Sequence, residues 1–115
     1  RLMAPKKLRF QKDAKQLVLE YEGGEPLAIP FELLRVESPS AEVQGHGGER
    51  PPPVRGKQDV VVVRAEPVGH YAIRIIFNDG HDSGLFTWEF LQELGENLDE
   101  RMAEYRARVA DFEGR

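Results

Sequence analysis

Two short stretches gather the side chains of this sequence that could do chemistry. They are Ser38-Pro39-Ser40-Ala41-Glu42-Val43-Gln44-Gly45-His46-Gly47 and Asn78-Asp79-Gly80-His81-Asp82-Ser83-Gly84. Of the three histidines, His46 and His81 lie inside them and His70 lies outside. Those imidazoles, with the carboxylates of Asp79 and Asp82, offer the atoms of a mixed nitrogen–oxygen metal site, although their spacing follows no recognised ligand pattern. The same residues suit tight turns, because aspartate bonds its own backbone and glycine takes positive φ without strain. Ser38, Ser40 and Ser83 accompany the histidines, but no nucleophile-elbow sequence surrounds them. Gly45, Gly47 and Gly48 around His46 lack the Gly-Lys-Ser/Thr ending of a nucleotide loop and the strand–turn–helix setting of a dinucleotide fingerprint. What survives is a polar surface carried on turns.

Composition bounds the partners. At 115 residues, 40% hydrophobic and 31% charged, the chain is expected to be one globular domain with a core of its own. It has no cysteine, which removes disulfides, thiolate metal sites, iron–sulfur ligation and a cysteine nucleophile together. A cysteine-free domain with no signal-peptide pattern and no apolar run near the roughly 20 residues of a membrane span is expected to be cytoplasmic. The net charge of −4 is unevenly divided: residues 1–57 carry 10 basic and 8 acidic side chains, or +2, and residues 58–115 carry 6 and 12, or −6. An acidic balance without a long basic run argues against nucleic acid and anionic membranes as partners. The basic cluster Lys6, Lys7, Arg9, Lys12 and Lys15 reads as an edge strand whose lysines discourage unwanted pairing, with a docking patch as the rival.

The elements that must position these residues alternate between strand and helix signals. Leu8 to Phe10, Leu17 to Tyr21 and Leu27 to Ile29 read as strands, the last two joined by the Glu22-Gly23-Gly24-Glu25 turn. A short helix is expected to begin at Pro30 and to point Phe31, Leu34 and Val36 inward. Residues 38–57, with Pro51-Pro52-Pro53, form an unusually long connection whose part from about Gly48 to Gly56 is expected to be mobile. The valines within Asp59 to Ala65 predict a central strand covered on both faces, followed by a turn at residues 66–70. Tyr71 to Phe77 and Ser83 to Thr87 predict a hairpin around Asn78-Asp79-Gly80. Trp88 to Leu94 predicts a helix closed by Gly95, with Trp88 closing the core beneath the hairpin. Leu98, Met102, Tyr105, Val109 and Phe112 then recur at spacings of 4, 3, 4 and 3, which predicts an amphipathic helix over about 97–112, capped by Asn97. The expected fold is α+β: a mostly antiparallel sheet of about five to seven strands with a short central helix and C-terminal helices, the core over about 8–95.

Three ordered segments carry a family resemblance: residues 34–47, residues 66–74 (Glu-Pro-Val-Gly-His-Tyr-Ala-Ile-Arg) and residues 77–91, which begin Phe77-Asn78-Asp79-Gly80-His81-Asp82-Ser83-Gly84. Together, from about Leu17 to Gly95, the sequence resembles the gamma-butyrobetaine-hydroxylase-like N-terminal domain, a bacterial family of unknown function. The resemblance implies a domain found alone, ahead of an iron/2-oxoglutarate dioxygenase domain, or appended to iron–sulfur carrier ATPases, and catalytic in none of these. It also implies, for the hydroxylases, a zinc ion held by a Cys-Pro-Cys-x-x-Cys segment and one histidine. On that pattern this chain has Ser38, Pro39, Ser40 and Val43, with His81 matching the histidine. A serine hydroxyl is a poor zinc ligand at neutral pH and valine is none.

The resulting expectation is a non-catalytic binding or adaptor module without metal or other cofactor, working as a monomer or weak dimer on another protein. Its surface would be formed by the 38–47 loop and the 79–84 hairpin, which should meet. The candidate binding residues are Arg35, Ser38, Ser40, Gln44, His46, Asp79, His81 and Asp82, with Arg35, His46, Asp79, His81 and Asp82 exposed near one another. The alternative is an accessory role in iron–sulfur or metalloprotein maturation, and a small hydrolase or ligand-binding enzyme is the third class.

Overall fold

The computed structural model describes residues 4–39 and 52–114. Its first three strands, β1 (Lys7–Gln11), β2 (Gln16–Glu20) and β3 (Leu27–Pro30), form an antiparallel meander in the order β1-β2-β3. Helix α1 (Phe31–Val36) follows at once. A second meander comprises β4 (Val62–Val68), β5 (Ala72–Phe77) and β6 (Gly84–Thr87), and helices α2 (Trp88–Glu96) and α3 (Leu98–Glu113) complete the described chain. The six strands among the described residues therefore make two three-stranded sheets rather than the single sheet expected from the sequence. Strand periodicity reports which residues are extended, not which strands share a ladder.

Both meanders turn one face to a common core. Leu17 and Leu19 of β2, Ile29 of β3, Phe31, Leu33 and Leu34 of α1, Ile75 and Phe77 of β5, Phe86 of β6, and Leu91 and Leu94 of α2 are all fully buried within it. The alternation is clean along β5, where Ile73, Ile75 and Phe77 face inward and Arg74 points away. Opposite Ile75 stands Gly84, and opposite Ile73 stands Phe86, so these two β6 residues also lie on the core face. Beyond the ladder, Val61 and Asn78 exchange two hydrogen bonds, Val61 N–H to Asn78 Oδ1 at 3.0 Å and Asn78 N–H to Val61 O at 2.9 Å. They anchor the hairpin base that carries Asp79 and His81.

Several local expectations need correction. The valine-rich strand is not central and covered on both faces: β4 is an edge, and Val63 is 51% exposed. Its register shifts between Val62 and Arg64, a bulge that breaks the simple alternation, and it runs on to Val68 through Pro67. An edge strand tolerates proline because one side of it donates to nothing. Gly95 does not close α2 but lies inside it, pressed against β3: a methyl group there would come within 2.8 Å of Leu27 Cβ. Asn97 gives α3 no side-chain cap; its amide instead donates to Glu93 O at 3.0 Å, closing the preceding helix. Trp88 is only partly buried, with its indole N–H donating to His70 O at 2.8 Å. The edge position of the lysine-bearing β1 and the covered side of α3, formed by Leu98, Met102, Tyr105, Val109 and Phe112, agree with the sequence reading.

Candidate functional site

The chain leaves α1 directly above the β5–β6 hairpin. Ser38 Oγ and His81 Nε2 stand 2.9 Å apart, hydrogen-bonded across 43 residues of sequence. Ser38 can sit there because Gly84 presents bare backbone on the core face of β6: a Cβ on Gly84 would collide with Ser38 Oγ. His81 is held by its own backbone from both sides, its N–H donating to Asp79 Oδ1 at 3.1 Å and its carbonyl accepting from Phe77 N–H at 2.9 Å. The imidazole lies near the Phe77 ring, with centroids 6.2 Å apart.

Beside this contact Asp79 binds two cations through one oxygen. Its Oδ2 accepts from Arg35 Nε at 2.9 Å and from Lys57 Nζ at 2.7 Å. Burial pushes this carboxyl upward, but the Lys57 ammonium, the His81 N–H and the Arg35 guanidinium outweigh it and hold the pKa well below the usual carboxylate range. Three separated stretches of chain thus converge on one aspartate: the end of α1, the strap before β4, and the hairpin.

Of the candidate residues, the fold brings Arg35, Ser38, Asp79 and His81 together. Arg35 is not displayed to solvent as expected, because its charge is drawn onto Asp79 and its side chain is only 14% exposed. Asp82 turns to a different cluster, with its carbonyl accepting from Arg74 Nη1 at 2.7 Å while Arg74 Nη2 pairs with Glu66 at 2.6 Å. Ser40, Gln44 and His46 lie outside the described residues, as does the 48–51 part of the connection expected to be mobile. Residues 52–56 are described, and Arg55 ties them to α3, its guanidinium 4.5 Å from the Phe112 ring centroid and 3.2 Å from Glu113 Oε2. His70 stands on the exposed turn before β5.

Sequence reasoning missed Lys57 and the purpose of Gly84. Lys57 carries no local signal, because its role depends on a fold-back across 22 residues. Gly84 did carry one: a glycine inside a strand marks a place where something approaches the backbone closely.

The zinc implied by the resemblance does not fit these residues. Nitrogen and oxygen ligands at about 2.0–2.2 Å from a tetrahedral ion stand roughly 3.3–3.5 Å from each other. Ser38 and His81 are closer than that and bond directly. Among the described residues no group of three or more His, Asp or Glu side chains could hold a metal. As a hydrolytic pair they are also poorly supported, since Asp79 bonds the His81 backbone rather than orienting its ring.

No helix of the described residues is long and apolar enough to cross a membrane. No curated protein matches the chain. Among solved structures, an NMR solution structure is 46% identical, covering 96% of this chain and 86% of the other with a TM-score of 0.78. A second NMR structure is 37% identical, covering 95% and 81%, again with a TM-score of 0.78. A crystal structure of a protein with unknown function from Acidithiobacillus ferrooxidans is 37% identical, covering 79% and 91% with a TM-score of 0.66. The profile of the family described as "Gamma-butyrobetaine hydroxylase-like, N-terminal" matches residues 8–92, and the chain belongs to that family.

Proposed function

We propose that the domain is a non-catalytic binding module that recognises another protein through the β5–β6 hairpin and the end of α1. The observation that carries this reading is the bracing of a polar turn. Asn78, Gly80, Asp82 and Ser83 are exposed, yet the loop is tied down by Asp79 to Arg35 and Lys57 and by His81 to Ser38. Fixing an exposed loop in advance lowers the ordering entropy that a partner would otherwise have to overcome. Catalysis is a weaker fit, because no nucleophile-elbow sequence surrounds Ser38 and Asp79 is engaged by two cations and the His81 backbone N–H rather than by the His81 ring.

Photo-crosslinking tests the proposal. A crosslinking residue at Ser83 should join a specific protein from host extract, whereas one at Asp99, the first turn of α3, should not. Equal labelling from both positions, or none from Ser83, would count against a hairpin surface. Turnover of activated esters that vanishes in Ser38→Ala would favour the hydrolytic class instead.

A further inference from the structure

The geometry points to a metal-independent clasp: a direct Ser38–His81 hydrogen bond, seated on Gly84, joins the end of α1 to the β5–β6 hairpin where the resemblance implies an ion. The inference does not rest on the recognition reading above. Three features carry it.

The first is distance. At 2.9 Å the two side chains bond to each other directly, closer than the roughly 3.3–3.5 Å that separates neighbouring nitrogen and oxygen ligands of a tetrahedral zinc. The second is Gly84. Its φ is outside the left-handed region, so the backbone does not demand glycine there. Space does: any side chain would occupy the position of Ser38 Oγ and also come within 3.3 Å of Pro39 O. The third is that the backbone carrying the imidazole is fixed without help from a metal. Asp79 holds the His81 N–H, Phe77 N–H holds its carbonyl, and Asp79 is itself fixed by Arg35 and Lys57. A metal site commonly relies on the ion to draw its ligands together; here hydrogen bonds and an ion triplet already do so.

The clasp is tested by melting the protein under different metal conditions. Wild type should melt at the same temperature with EDTA, with added zinc and with neither. Ser38→Ala and Gly84→Ala should each lower the melting temperature by about 5 °C. His81→Gln places an amide nitrogen near the position of Nε2, so it should retain more of the melting temperature than His81→Ala. Ser38→Ala combined with His81→Ala should melt little below the worse single variant, because both remove one bond. A wild-type melting temperature that rises with zinc or falls with EDTA would overturn the clasp. So would His81→Gln falling as far as His81→Ala. If the alanine variants do not fold, the wild-type metal response and His81→Gln still decide. Absence of a crosslinked partner at Ser83, with the melting pattern as expected above, would bear on the recognition surface and leave the clasp standing.

Discussion

At the scale of single residues, Asp79 is where the site's charges are settled. It is a small acid surrounded by two cations and a backbone donor, and its side chain is mostly covered. Replacing it by Asn would leave Arg35 and Lys57 without that counter-charge in a partly desolvated setting, at a cost of about 2 kcal/mol. The pH dependence has a definite sign. A carboxyl whose folded pKa lies below its ordinary value of 3.8 contributes stability at higher pH and loses it as acid protonates it in the folded state. Denaturant melts should therefore show wild-type stability falling as pH drops below about 4, and Asp79→Asn should lose less over that interval. A variant whose acid slope equals that of wild type would show that Asp79 is not a major source of that slope. The residue types at this site were legible in the sequence, since Asp79 and His81 stand in a hairpin turn and Ser38 follows a short helix. Their pairing was legible only through the resemblance, because nothing local connects residues 43 positions apart.

At the scale of elements, α2 shows why a good local rule gave the wrong answer. Glycine often ends helices, and Gly95 stands where the apolar run of residues 88–94 stops. Yet α2 continues to Glu96, and the missing side chain lets the helix pack tightly against β3 at Leu27. Helix propensity alone predicts that Gly95→Ala stabilises by roughly 1 kcal/mol. The contact predicts the opposite, because the new methyl would lie 2.8 Å from Leu27 Cβ, a carbon fixed to the strand backbone. We expect a net destabilisation of about 1–3 kcal/mol in denaturant melts, and a stabilised variant would refute the packing argument. Trp88 at the start of the same helix divides its contribution. The ring packs against the core while its N–H holds the turn at His70. Trp88→Phe should then cost about 1 kcal/mol for the hydrogen bond, and Trp88→Ala, a half-buried truncation, about 2–3 kcal/mol. Equal costs for the two would place all of its effect in the hydrogen bond. Edge and centre were not legible in β4 for a similar reason: four valines specify extended backbone, but whether both faces are covered depends on elements distant in sequence.

Across the whole molecule, polar side chains bind the C-terminal helix to the rest of the fold. The covered side of α3 is thin, and Tyr105 is its only buried residue. Its hydroxyl donates to Glu32 Oε2 of α1 at 2.5 Å, and burial followed by that carboxylate pushes its pKa up to about 12. Glu37, just past α1, accepts from Arg101 at 3.2 Å and Arg108 at 3.0 Å, while Arg101 also pairs with Glu93 of α2. The strap adds Arg55 against Phe112 and Glu113. The sequence revealed the five apolar positions of α3 but not these ties, since alternating charges along a helix look the same whether they face solvent or another element. Glu37 is the most telling of them: its side chain is only 15% exposed and faces two guanidinium groups. It also stands next to Ser38, so the residue that helps hold α3 adjoins the clasp on the hairpin. Glu37→Gln keeps the shape and one acceptor but removes the charge, which should weaken both ties and release α3 before the sheets unfold. Hydrogen exchange should then quicken across residues 101–112, with protection unchanged in β2 and β5, the middle strands of the two meanders. Uniform acceleration through both sheets would instead mean that α3 unfolds only with the whole domain.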